Sequence, residues 1–231
     1  MRCRIAMLFG AALMLGSCNS VGGNGANNEG TRSLVSAFGN LGYDAVALPS
    51  TAYGPGSLVT SVKGHGFEPP LRLTYLCRPD FASSPPAIVD AAASTDVSSA
   101  LSGNFNLGLS TLAQLGVGAN ASYVRSLTLK LNNVKVEQLA YDDLYAIRSH
   151  LGPVCADLVK EFRDKGIAYQ TKEAIRADAT YTIEFRQGVS ANVKGLVIEA
   201  ITAAFGGSFE RGSGLTVTGN GLFYALVLVK V

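Results

Sequence analysis

Two histidines, 17 acidic and 19 basic residues and four cysteines are the groups with which this chain could do chemistry. General acid–base work needs two titratable groups held together, and Asp142-Asp143 with Glu137 is the nearest approach to a carboxylate pair. Those acids stand where a helix is expected to begin. Helix N-termini favour carboxylates, so Asp142 reads as a cap and the others as solvated charge. His65 lies between two glycines and reads as an exposed loop residue. Neither it nor His150 belongs to a Cys/His cluster with metal-ligand spacing. No G-x-S-x-G elbow, Walker loop or strand-linked G-x-G-x-x-G is present. The residues offer no catalytic constellation, metal site or cofactor site, so a non-enzymatic role is expected.

The N-terminus says more. Arg2 and Arg4 precede an uncharged apolar run at 5–15, which is far short of the roughly 20 residues needed to cross a bilayer. Small residues then lead into a cysteine, Leu15-Gly16-Ser17-Cys18. This stretch resembles the lipobox of bacterial lipoproteins. The resemblance implies a signal peptide at 1–17 cut before Cys18. Cys18 would then carry thioether-linked diacylglycerol and usually a third acyl chain such as palmitate. Two or three chains anchor a protein stably, because each buried CH₂ is worth about 0.8 kcal/mol and a single chain is marginal. Asn19 stands where Asp would retain an enteric lipoprotein in the inner membrane. The implied address is the cell envelope, lipid-anchored at the outer membrane and facing the periplasm.

With Cys3 in the leader and Cys18 lipidated, Cys77 and Cys155 remain as a pair in a compartment where disulfides persist. They read either as a disulfide or as two buried free thiols, since sequence does not give their separation. Arg2 and Arg4 account for the formal charge of +2, so the mature chain is neutral. It has no Lys/Arg run and no basic stripe interleaved with aromatics, which argues against nucleic acid as a partner. Residues 19–30 are nearly devoid of apolar side chains and read, as 18–32, as a tether to one domain at 33–231. The 26 glycines in 231 residues, above the usual level of about 7%, favour β structure with many turns.

Period-two alternation places strands at 43–48, 57–63, 71–77, 98–110, 119–131, 167–176, 180–186, 215–218 and 222–230. In 98–110, Leu101, Phe105, Leu107 and Leu109 share a face. In 119–131, Tyr123, Leu127, Leu129 and Leu131 do so, with Arg125 among them. The phase flips at Asn132-Asn133, which requires a turn or bulge. Helices are expected at 141–151, 154–165 and 192–205, the second with Val154, Cys155, Leu158, Val159 and Phe162 on one side and Gly166 as its stop. The fold class is α+β: a twisted, mainly antiparallel sheet with two or three helices packed against it.

Leu41-Gly-Tyr-Asp-Ala-Val-Ala-Leu-Pro-Ser50, Tyr53-Gly-Pro-Gly-Ser-Leu-Val59 and Ser126-Leu-Thr-Leu-Lys-Leu-Asn-Asn-Val134 resemble segments of bacterial gasdermins. So do Arg163-Asp-Lys-Gly166, Thr171-Lys-Glu-Ala174 and the Gly-rich closing region at 206–231. The resemblance implies a gasdermin-like, pore-forming domain whose amphipathic strand pairs extend into membrane-spanning hairpins. Leu101, Phe105, Leu107, Leu109, Leu127 and Leu129 are the hairpin candidates. Two departures stand beside it. Bacterial gasdermins act from the cytosol, and they end in a short inhibitory tail, whereas this chain stops at its final strand. The competing expectation is an envelope lipoprotein that uses its sheet to dock a protein partner or a second copy of itself.

Overall fold

A computed structural model describes residues 29–77, 85–204, 209–211 and 215–231, so the expected signal segment 1–17 and Cys18 lie outside the described residues. In chain order the elements are α1 (Glu29–Asn40), β1 (Asp44–Ser50), β2 (Leu58–Ser61), β3 (Leu73–Cys77), β4 (Ile88–Asp90) and α2 (Ala91–Ala100). Then come β5 (Asn104–Leu107), α3 (Leu109–Gln114), β6 (Val124–Gln138), α4 (Tyr141–Ser149) and α5 (Pro153–Asp164). The last are β7 (Tyr169–Phe185), α6 (Ala191–Ala204), β8 (Phe209–Arg211) and β9 (Thr216–Lys230). The nine strands form one sheet, and every pairing between named strands is antiparallel. The α+β class stands. The number of helices is corrected, from two or three to six α-helices among the described residues.

Three long strands form the spine, with β7 between β6 and β9. They run 15, 17 and 15 residues, against a usual five or six. Short strands cover the outer edges. β5 and β4 pair with the two ends of β6, while β8 and β1 pair with the two ends of β9. The sequence breaks at 177–179 and 219–221 were expected to end strands. Instead the chain absorbs them as register shifts within continuous strands. The phase flip at Asn132-Asn133 is likewise a bulge, with Asn133 in the left-handed region at φ 50. A bulge inserts a residue without ending the ladder, so one long strand replaces two short ones.

The expected strand at 98–110 is corrected. Asp90 caps a helix there, its Oδ1 accepting from Ala93 N at 2.9 Å, and the alanines at 91–93 favour the helical backbone. Leu101 becomes the last residue of that turn, fully buried. Gly103 then reverses the chain at φ 117, a conformation a side chain resists, so only 104–107 remain to pair with β6. Leu109 opens α3 rather than extending the strand. The expected 119–131 strand starts at Val124, after a 3-10 turn over Gly118–Tyr123.

One main core lies under the spine. Leu127, Leu129 and Leu131 of β6, Ala179, Tyr181 and Ile183 of β7 and Val217 of β9 meet Phe38, Val97, Leu101, Leu112 and Ile201 from the helical side. A second cluster on β9 holds Val46, Leu71, Ala174, Phe223 and Leu226. A third, Leu139, Leu144 and Ile147, seats α4. The continuous burial of Leu222–Leu226 follows from the first two clusters lying on opposite faces of that stretch.

Candidate functional site

The spine is two-faced, and this amphipathic sheet is the candidate site. Cross-strand partners share a face, so register assigns each side chain. Leu107, Leu127 and Ile183 stand in one row, with Phe105, Leu129, Tyr181 and Val217 in the next. All are buried except Phe105, which packs half-buried against the same core. The opposite face carries Asn106, Thr128, Thr182 and Thr216 in one row and Asn104, Lys130, Thr180 and Thr218 in the next. Ser126 donates to Glu184 Oε2 at 2.8 Å on that polar side. Five of the six hairpin candidates, Leu101, Phe105, Leu107, Leu127 and Leu129, therefore come together in one core. They do so beneath helices, not as a long hairpin, because β5 contributes four residues only.

Arg125 is exposed and does not share the apolar face. The register shifts between Val124 and Ser126, which buries Val124 and turns Arg125 outward. The acids are also relocated. Ala140 is the N-cap of α4, so Asp142 and Asp143 sit in its first turn without capping it. Glu137 Oε1 accepts from Arg176 Nη1 at 3.1 Å, across the strands. His65 is exposed, and His150 Nδ1 lies 2.7 Å from the Ala146 carbonyl. No group of three or more His, Cys, Asp or Glu among the described residues could hold a metal ion.

Three tyrosines carry buried phenols that sequence reasoning did not single out. Tyr43 donates to Glu173 Oε2 at 3.3 Å. Burial, and then the neighbouring Glu173 carboxylate, push its phenol up to about 12. Tyr181 and Tyr224 face one another inside the main core, and burial raises both phenols above their ordinary value. Their positions on alternating strands could have marked them as inward-facing. Nothing in the sequence marked them as mutual neighbours.

Beside this end of the sheet is a cleft of about 700 Å³ lined by Thr51, Ser57, Tyr75, Pro86, Glu137 and Phe223. Glu137, the carboxylate among its described lining residues, is held by Arg176. Cys77 and Cys155 are disulfide-bonded, with Cα atoms 5.7 Å apart, joining the end of β3 to the first turn of α5. Gly152 and Pro153 place Cys155 on that turn, since proline suits the first helical position.

The fold and site together define an α+β protein built on one antiparallel, two-faced sheet. No family model and no curated protein matches the chain. Among solved structures it is similar to a bacterial gasdermin from Bradyrhizobium tropiciagri, at TM-score 0.40 and 14% identity over 84% of each chain.

Proposed function

We propose that this chain is a lipid-anchored, non-enzymatic protein of the cell envelope, with a membrane-active domain that places amphipathic strands in a bilayer as pore-forming gasdermins do. The observation that carries the reading is the length and two-facedness of β6 and β7. A strand crosses a bilayer with about 9 to 11 residues, one face apolar and one polar. β6 and β7 have 15 and 17, with the leucines of β6 facing the same way as Ala179, Tyr181 and Ile183 of β7 and with Thr, Lys and Asn on the other side. No helix among the described residues is long and apolar enough to cross a membrane. Here the apolar face is covered by helices, so insertion requires those helices to leave it.

Cys18 is the proposed anchor at the outer membrane. Ten residues separate it from Glu29, a reach of at most about 40 Å, which keeps the domain beside the lipid. Mass spectrometry of the mature N-terminus tests the anchor and should find diacylglyceryl-Cys18. Dye release from liposomes tests the activity, before and after limited proteolysis. Wild-type protein that never releases dye, at any lipid composition, ends the pore reading. The open polar face, with Asn104, Lys130, Thr180 and Thr218 in one row, favours a second reading, a surface that docks an envelope protein or a second copy. Binding without dye release would select it.

A further inference from the structure

α4 and α5 are an excursion of the chain between Gln138 and Glu173, which are themselves paired in the sheet. The two helices are held unequally. α4 seats Leu144 and Ile147 in a core with Leu139, and the buried Gln170 ties it down. Gln170 Nε2 donates to the Leu144 carbonyl at 3.4 Å and to the Gly56 carbonyl at 3.2 Å. Its Oε1 accepts from Arg148 Nη1 at 2.7 Å. α5 buries Val159 alone, and Val154 on its first turn is 83% exposed. A 4.0 Å contact from Cys77 Sγ to the Cys155 carbonyl accompanies the bond between α5 and β3. The disulfide is its covalent tie to the sheet.

The strand at the other end of that bond lies at an edge of the sheet. Among the described residues β3 pairs with β2 alone, and β2 reaches the spine through Leu58 with Gln170 and Val59 with Tyr169. Leu71, just before β3, is bonded to β1, by Leu71 N to the Ala45 carbonyl at 2.7 Å and Ala47 N to the Leu71 carbonyl at 2.8 Å. Both cysteines are half-buried rather than sealed in the core.

We propose that the Cys77–Cys155 bond is a redox clasp, opened by a dithiol reductant, that holds α5 against β3 while the spine folds independently of it. A thiolate of the dithiol attacks Cys77 Sγ, and Cys155 Sγ departs as a thiolate. That direction is favoured because Cys155 lies in the first turn of α5, where the helix dipole stabilises negative charge and so improves the leaving group. The second thiol of the donor then attacks the mixed disulfide and frees Cys77. Two electrons pass to the bridge, the donor leaves as a disulfide, and the Cys155 thiolate takes a proton from water. The clasp stands whether or not the sheet enters a bilayer.

Hydrogen exchange on the full mature chain, with and without dithiothreitol, tests it. The expected result is a fall in protection of about tenfold or more at amides 156–164, the signature of local rather than global opening. Protection in β6 and β7 should be unchanged, and iodoacetamide should then label both cysteines. A Cys77→Ser, Cys155→Ser variant should reproduce the exchange pattern of the reduced wild type. Three results would each overturn the proposal: resistance of the native bond to dithiothreitol, unaltered protection of α5 after complete reduction, or an equal loss through β6 and β7.

Discussion

Asn133 and Asp178 meet across the sheet, Asn133 Nδ2 donating to Asp178 Oδ2 at 2.6 Å, at the point where β6 bulges past β7. The other carboxylate oxygen, Oδ1, accepts from Gly221 N at 2.8 Å, where β9 bulges on the opposite side of β7. One aspartate on the central strand thus satisfies the irregular backbone or side chain of both neighbours. The two bulges lie level with each other, so the spine changes phase as a unit and keeps its apolar residues under the helices.

Asp178→Ala should therefore cost about 2 kcal/mol in urea unfolding, because a part-buried N–H loses its acceptor as well as a side-chain bond. Asp178→Asn keeps one acceptor oxygen and should cost less. Equal stability of all three proteins would show that solvent serves the bulges as well as the carboxylate does.

Gly221 should resist substitution for a separate reason. Its φ is 65, and a Cβ there would stand 2.6 Å from Arg176 Nη2. Arg176 is not free to swing away at no loss, since it also donates to Glu137. Gly221→Ala should destabilise by roughly 1 to 3 kcal/mol. Adding Arg176→Ala should restore part of that loss, read as non-additivity in a double-mutant cycle.

Alkaline stability should depend on the buried phenols. Tyr43 is pushed up to about 12 in the folded chain from an ordinary value of 10. A raised folded value means that the native state holds a proton the unfolded state gives up. The contribution is whole below pH 10 and is lost as pH rises from 10 through 12. Tyr43→Phe should flatten this fall, measured as urea stability against pH alongside tyrosinate absorbance. An unchanged slope above pH 10 would place the dependence on Tyr181 and Tyr224 instead, whose phenols are raised further.

The long amphipathic strands and the helix at α5 were legible in the sequence because their periods are local. Val159 is inward and Asp157, Lys160 and Glu161 are outward, as a helical stripe requires. The boundaries failed where a local pattern has two solutions. Alternation in 98–110 fits a strand equally well whether or not Asp90, eight residues upstream, starts a helix that consumes its first half. Asn132-Asn133 read as a turn or a bulge and 219–221 as a break, because turn residues and bulge residues are the same types. Only the partner strand distinguishes the two, here through Asp178. The assignment of Arg125 to the apolar face failed for the same reason, one residue of slip inverting the side.

The two faces of the spine give the sharpest test of what the sheet is for. Leu127 is 1% exposed and pairs with Leu107, while its neighbour Thr128 points the other way and pairs with Thr182. Leu127→Asp buries a charge with no partner in reach, a loss of several kcal/mol that should unfold the domain, seen as lost cooperativity in thermal melts. Thr128 is half-buried on the polar face, where an added carboxylate still reaches water, so Thr128→Asp should leave the melting temperature within a few degrees, at a cost of about 1 kcal/mol or less. If the polar face lines an aqueous pore, Thr128→Asp should keep dye release and shift the preference between anionic and cationic dyes. If that face docks a partner instead, no dye will pass in either protein, and the same substitution will weaken binding. A Leu127→Asp protein that folds normally would mean that the apolar face is not the core, which would overturn the arrangement of helices over strands.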